Sequence, residues 1–295
     1  MKYTFIQKYR STFPVVKMCT VLTVSVSGFY DWLDRKKSAR QLKKEELMDA
    51  ISALFYKHGE MAGSPLITED LHDDPRYKTV HRSRVAKIMQ EMGLRCKIQK
   101  KYVVTTDSSH DRPIAENILN RKFNPEAPQE ALVGDITYIR VASHWVYLSV
   151  FIDLYARKVV GWDLSDTLAA YSTCQAFKKY LFSTGYTKGS LLVHSDRGVQ
   201  YASEEFRTVL DSVGAIQSMS RKGNCWDNAV AESFFHTLKT RLIYHRKYNT
   251  MEELQRDIYW YIEIYYNRVR KHSANNWLTP VEKESRFYKS LEKVS

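Results

Sequence analysis

Asp135, Asp196 and Glu232 are the residues whose type and placement could do chemistry, with 35 residues lying between the second and the third. Asp135 interrupts a strand-like apolar run, Ala-Leu-Val-Gly-Asp-Ile-Thr-Tyr-Ile. Asp196 closes a second run, Ser-Leu-Leu-Val-His-Ser-Asp, and Glu232 falls in a helical pattern behind a glycine-containing loop. Acids from two strands and one helix can supply oxygen ligands to two divalent cations, the apparatus for in-line attack at a phosphodiester. Asp135 is the sharpest position, because Leu132, Val133, Ile136 and Ile139 imply a buried strand. An unpaired carboxylate there costs on the order of several kcal/mol. A structural Asp satisfied by Arg or by backbone amides is the alternative, and Asp196, just before Arg197-Gly198, would by itself also suit an ordinary turn.

The surroundings of these acids carry further candidates. In a helical register Val230, Phe234 and Leu238 face a core, while Asn228, Glu232, His236 and Lys239 share another face. That second stripe joins a metal-ligand type to a basic phosphate contact, although a solvated helix face has the same pattern. The preceding loop, Ser220-Arg221-Lys222-Gly223-Asn224-Cys225, is basic and suited to approach a phosphate backbone. His194 either contacts a phosphate or orients its neighbours, and it is not read as a general base. Asp153 is a fourth acid in apolar surroundings, better explained by structural hydrogen bonds than by metal. No Ser, Tyr or Cys nucleophile constellation is evident, so no covalent protein–substrate intermediate is expected.

These groups must be positioned by a chain of 295 residues, long enough for two or three compact units. An apolar content of 44% and an aromatic content of 13% exclude general disorder. The formal charge is +12, and the basic excess is spread over the chain: 23 basic against 16 acidic side chains in residues 1–130, and 22 against 17 in the remainder. An excess present in both halves suits a long polyanion better than a small acidic substrate. Cys19, Cys96, Cys174 and Cys225 are scattered without a CxxC pair, which argues against a disulfide scaffold and a structural zinc. No signal-peptide core or bilayer-spanning stretch is visible, so a cytoplasmic, DNA-associated protein with no membrane partner is the expectation.

Periodicity places a helix pair at Pro14–Leu22 and Ser27–Leu33, with a turn and a candidate cap at Val24-Ser25-Val26-Ser27. A longer helix is predicted from about Gln41 to His58, a short one behind Ser64-Pro65, and another from Val80 to Met92 with Gly93 beyond it. Arg82, Arg84 and Lys87, with His81, decorate that last helix, as a major-groove reader or as a merely solvated face. Residues 98–130 look like a linker with one short helix around Ala115–Arg121. Strands follow at Leu132–Ile139, Trp145–Ile152 and Lys158–Leu164, then helix Leu168–Phe182, strand Leu191–Ser195, helix Ser203–Val213, strand Ala215–Met219 and the Glu232 helix. That order is compatible with an α/β ribonuclease-H-like fold, a mixed sheet flanked by helices, preceded by all-α helix-turn-helix-like segments. The expected division is 1–40 small helical segment, 41–97 helix-turn-helix-like domain, 98–130 linker, 131–245 catalytic core and 246–295 C-terminal helical extension. Tyr261, Ile264 and Tyr265 near the end form either a contact stripe or ordinary core.

The strings Asp135-Ile136-Thr137-Tyr138-Ile139, His194-Ser195-Asp196-Arg197-Gly198-Val199-Gln200-Tyr201 and Ser218-Met219-Ser220-Arg221-Lys222-Gly223-Asn224-Cys225-Trp226-Asp227-Asn228-Ala229 carry a family resemblance. So do Ala231-Glu232-Ser233-Phe234-Phe235, Leu238-Lys239, Tyr266-Asn267-Arg268, His272 and Thr279-Pro280, together with Ser27-Gly28-Phe29-Tyr30 and Gly63-Ser64-Pro65 in the front half. The chain resembles the second-reading-frame (OrfB-type) transposases of bacterial insertion-sequence family three, in the DDE transposase and retroviral-integrase superfamily. The resemblance implies metal-dependent DNA 3′-end cleavage and strand transfer, with Asp135, Asp196 and Glu232 as the catalytic and metal-binding triad. It implies Mg²⁺ as cofactor, with Mn²⁺ able to substitute, and a circular copied-out intermediate. Double-stranded DNA at element ends and target, a homo-oligomer on that DNA, and an upstream-frame product with a zipper are the implied partners. Arg82, Arg84, Lys87, His194, Arg221, Lys222, Asn228, His236 and Lys239 are the expected DNA contacts. Leu132 stands where the family usually has Trp, and Asn275 where it usually has Leu. The rival readings are a ribonuclease-H-like nuclease without strand transfer and a non-catalytic DNA-binding regulator of transposition.

Overall fold

The computed structural model describes residues 1–36, 38–96, 112–168, 170–186 and 189–292; within these, the side chain of Cys225 is not described. The beginning of the expected linker, 98–111, lies outside the described residues. The chain forms two compact units, Met1–Ala53 and Leu54–Ser295.

In the first unit α1 (Lys2–Tyr9), α2 (Val15–Val21) and α3 (Val26–Leu33) enclose Ile6, Met18, Cys19 and Phe29. Ser25 caps α3 by accepting the Gly28 N–H, as a serine ahead of an apolar run should. Helix α1 was not expected, because only Ile6 is buried along its length and a single buried position leaves no periodic signal. The unit boundary falls within α4 (Ala39–Lys57), which buries Leu47, Ile51 and Phe55.

The second unit begins with α5 (Ser64–Leu71) and α6 (Arg82–Glu91). Pro65 sits in the first turn of α5, where its missing N–H is harmless, but Gly63 rather than Ser64 occupies the cap. Helix α6 turns Val85, Ile88 and Met89 inward and leaves Arg82, Arg84 and Lys87 exposed. Buried His58 meets the Asp70 carboxylate, and Lys271 bonds Asp73 at 2.8 Å, tying α5 to the C-terminal region.

A five-stranded mixed sheet, ordered β3-β2-β1-β4-β5, is the centre of this unit. Its strands are β1 (Ala131–Val141), β2 (His144–Asp153), β3 (Val159–Ser165), β4 (Leu192–Ser195) and β5 (Ile216–Met219). The first three are antiparallel neighbours, whereas β4 runs parallel to both β1 and β5. Helices α7 (Ala170–Thr184) and α8 (Glu204–Ser212) pack on one face, where Leu132, Phe151, Phe177 and Phe206 share a core. The other face buries Val133, Ile139 and Val150 against Phe234 and Leu238 of α9 (Ala229–Arg241) and Ile258 of α10 (Met251–Tyr259). Helices on both faces are what a sheet with near-continuous apolar strands requires. This is the ribonuclease-H-like arrangement behind helix-turn-helix-like segments that the pattern predicted.

Beyond α10 a π-helical stretch, Trp260–Tyr266, leads to α11 (Pro280–Glu292). Tyr261 and Tyr265 are 0% and 1% exposed and belong to the core, the second of the two readings, while Ile264 is exposed. The helix expected at Ala115–Arg121 is also absent. Ile118 and Leu119 instead donate their N–H groups to Ser218 Oγ, at 2.9 and 3.2 Å, and Asn120 and Arg121 adopt positive φ. Bonding to the sheet domain replaced the helical bonds. Leu132 is fully buried, and Asn275 is buried with Nδ2 donating to Ala156 O at 2.6 Å; both departures from the family pattern therefore serve packing. Among the described residues no helix is long and apolar enough to cross a membrane.

Candidate active site

Parallel pairing of β1 with β4 sets Gly134 opposite Ser195, so Asp135 comes next on β1 and Asp196 comes next just past the end of β4. A side chain at position 134 would not fit: its Cβ would lie 2.6 Å from the Phe151 ring. Glycine there lets the Phe151–Tyr201 packing close directly beneath the carboxylates. Helix α9 lies against β1 and brings Glu232 and Lys239 to the same end.

The three acids feel one another. Burial, then Asp196 and also Glu232, push the Asp135 carboxyl well above the usual carboxylate range, against the Ile136 N–H (2.9 Å) and the Lys239 charge. Burial and the Asp196 charge likewise raise Glu232. Asp196 accepts the Gly198 N–H at 2.9 Å, which orients it at the strand end. Among the described residues no group of three or more His, Cys, Asp or Glu is gathered closely enough to hold a metal ion. The donor set nevertheless fits a hard divalent cation in kind: it is all carboxylate oxygen, and its excess negative charge is relieved by one ammonium group only in part.

Other expected contacts fall into two groups. Lys222 and His236 are exposed, and Lys239 is partly buried with its pKa lowered by burial, partly offset by Asp135. His194, by contrast, is fully buried. Its Nδ1 lies 2.8 Å from Ser218 Oγ and its Nε2 3.2 Å from Ser220 Oγ. Ser218 Oγ already accepts two backbone N–H groups and Ser220 Oγ donates to Ser195 O, which assigns the proton to Nε2. Burial lowers the His194 pKa to about 4, so the ring is neutral. A buried neutral ring cannot make the expected phosphate contact; of the two roles the sequence left open, orientation of β4 is the one the geometry supports. Asn228 is also buried, with Nδ2 directed at Gly134 O at 3.4 Å, because the helix it precedes packs face-on against β1. That burial withdraws it from the expected DNA contacts.

Asp227 is an organising residue that pattern reading missed. Fully buried, it accepts from Asn117 Nδ2 (2.9 Å), Arg121 Nε (2.8 Å) and the backbone and side chain of Arg221. The Arg221 and Arg121 guanidiniums, Arg221 first, hold its carboxyl far below the usual range. Arg221 is therefore engaged in fastening its own loop to the 112–130 segment. An acid next to Asn228 in a basic loop was the available signal. Asp153, in turn, accepts three backbone N–H groups, from Gln129, Tyr155 and Ala156, which is the structural role its sequence context favoured.

Family models agree with this architecture. Two family models described as "Integrase core domain" match residues 125–225 and 214–280, and one described as "HTH-like domain" matches 42–102. "Transposase InsF for insertion sequence IS3A" of Escherichia coli (strain K12) is 35% identical over 97% of this chain and 99% of its own. "Insertion element IS600 uncharacterized 31 kDa protein" of Shigella sonnei is 36% identical over 92% of this chain and 98% of its own. A simian T-cell lymphotropic virus intasome structure in complex with PP2A regulatory subunit B56 gamma aligns with TM-score 0.47 at 15% identity, over 74% of each chain. With 35% identity to the insertion-sequence protein over nearly the full length of both, the chain belongs to the IS3-family OrfB-type transposases of the DDE and retroviral-integrase superfamily.

Proposed function

We propose that this transposase cuts the 3′ ends of its insertion sequence in double-stranded DNA and joins them to a target, using Asp135, Asp196 and Glu232. The observation that carries the reading is that three carboxylates, from β1, the end of β4 and α9, lie near enough to interact: Asp196 and Glu232 help raise Asp135, and Asp196 helps raise Glu232. Excess negative charge at one end of a sheet is costly without a function that uses it. The three would hold Mg²⁺, with Mn²⁺ as substitute, and when bound the cations supply charge to polarise the scissile phosphate and lower the pKa of an attacking hydroxyl. The chain's own residues orient that chemistry. His194 and Gly198 fix the β4 end beneath Asp196, and Lys239 brings a positive charge that acts on Asp135. The exposed Arg82, Arg84 and Lys87 of α6 offer a basic face to DNA outside the core. Strand transfer needs a 3′-OH in line with a target phosphate, so several copies acting together on DNA fit the chemistry better than one.

The test is incubation of the purified chain with labelled element ends, with and without Mg²⁺. Cation-dependent 3′ nicking followed by joining is expected. Nicking without joining favours the nuclease, and binding without either favours a regulator. For Lys239→Ala we expect weaker binding to all sequences and a log–log salt slope shallower by about one. An unchanged slope would show that this lysine only balances Asp135.

A further inference from the structure

A row of two aromatic rings with a cation at each end leads away from the carboxylates along the β1–β2 hairpin. Lys239 Nζ, which the Asp135 charge reaches, lies 5.1 Å from the Tyr138 ring centroid. Tyr138 meets Trp145 edge to face, with centroids 4.9 Å apart at 77°. The Arg140 guanidinium carbon then lies 5.2 Å from the Trp145 ring, and its Nε is held by Ala142 O at 3.1 Å. Antiparallel register sets Arg140 opposite Trp145, so the row follows from strand pairing.

Core packing does not account for it. Trp145 is 45% exposed and Arg140 is on the surface, whereas Ile139, Val141 and Val146 beside them carry the burial. An exposed indole in a pair of rings that ends in a cation on each side has the chemistry of a base-stacking platform, with the cations placed for the phosphates of the bound strand. Bases within a duplex are already stacked on one another and offer only their edges, so such a platform takes an unpaired base. Cutting one strand at a DNA end leaves flanking nucleotides free to unpair beside the site.

We propose that Trp145, with Tyr138, Arg140 and Lys239, stacks an unpaired nucleobase of the DNA strand flanking the reacting end. The proposal rests on the DNA-end reading above. It is tested by measuring binding of the full chain to a blunt element-end duplex and to the same duplex with a short unpaired extension carrying 2-aminopurine. The extended duplex should bind about tenfold tighter, the order expected of one stacked base, with the 2-aminopurine fluorescence quenched. Trp145→Ala should bring the ratio of the two affinities to about one and abolish the quenching, and Trp145→Phe should restore most of both. Equal affinities without quenching in the parent chain overturn the proposal and need no variant to be read. A preference that survives in a folded Trp145→Ala chain overturns it as well. Failure to bind either duplex would instead refute the DNA-end reading.

Discussion

Asp135→Asn is expected to abolish end cleavage and joining while leaving most DNA affinity in place. The side chain keeps its size and loses one carboxylate oxygen and one charge, at a position whose carboxyl is raised well above the usual range and more strongly than that of Glu232. Cation-borne charge stabilisation is worth several kcal/mol, so the rate should fall at least about a thousandfold. A thermal readout separates this from damage to the fold. Burial and two neighbouring carboxylates disfavour the ionised form of Asp135. Without divalent cation the Asn variant should therefore melt above the parent. Adding Mg²⁺ at roughly 100 times its dissociation constant should stabilise the parent by about 2.7 kcal/mol, roughly 5–10 °C for a unit of this size. The variant should show little of that gain. Activity within tenfold of the parent, or an undiminished cation shift, would remove Asp135 from the site.

Asp227→Ala should produce the second large effect, on stability and activity together. The substitution leaves Arg121 and Arg221 without the acid between them and frees the 112–130 segment from the loop before α9. Breaking a fully buried ion pair costs about 3–5 kcal/mol. Here both guanidinium side chains are nearly half exposed and can turn to water, so about 1–3 kcal/mol is expected. Glu232 lies just beyond this loop, and a misplacement of about 1 Å can lower a rate about a hundredfold. Hydrogen exchange should rise in 220–228 and in the segment around Asn117, more than in β1 or β2. The pH dependence has a definite sign. The folded-state pKa is depressed, so the stabilisation is complete above the ordinary Asp value of about 3.9 and is lost as pH falls below it. The parent's 220–228 loop should therefore loosen in acid, and the variant should lack that step. Local exchange that is identical in parent and variant would reduce Asp227 to a bystander.

The strands and the helix bearing the three acids were legible because their signals are local. A short apolar run marks β1, and the spacing of Val230, Phe234 and Leu238 marks α9. The same locality explains the failures. The Ala115–Arg121 stretch has helical composition but gives its N–H groups to Ser218, about 100 positions away. The stripe logic that placed Asn228 beside Glu232 and Lys239 holds along a helix, yet Asn228 precedes the first turn and is buried against Gly134.

By itself the sequence determined the element order, the basic character of the chain, the three carboxylates and the motifs that name the family, because each is written in residue type over short spans. Tertiary structure alone decided which polar groups remain available. It enclosed His194 between two serines, committed Arg221 to Asp227, and aligned Lys239, Tyr138, Trp145 and Arg140 into one row. Those outcomes depend on strand register and on helix α9 crossing β1. Both are settled by burying the two faces of the sheet, a condition on the whole domain that no short stretch of sequence contains.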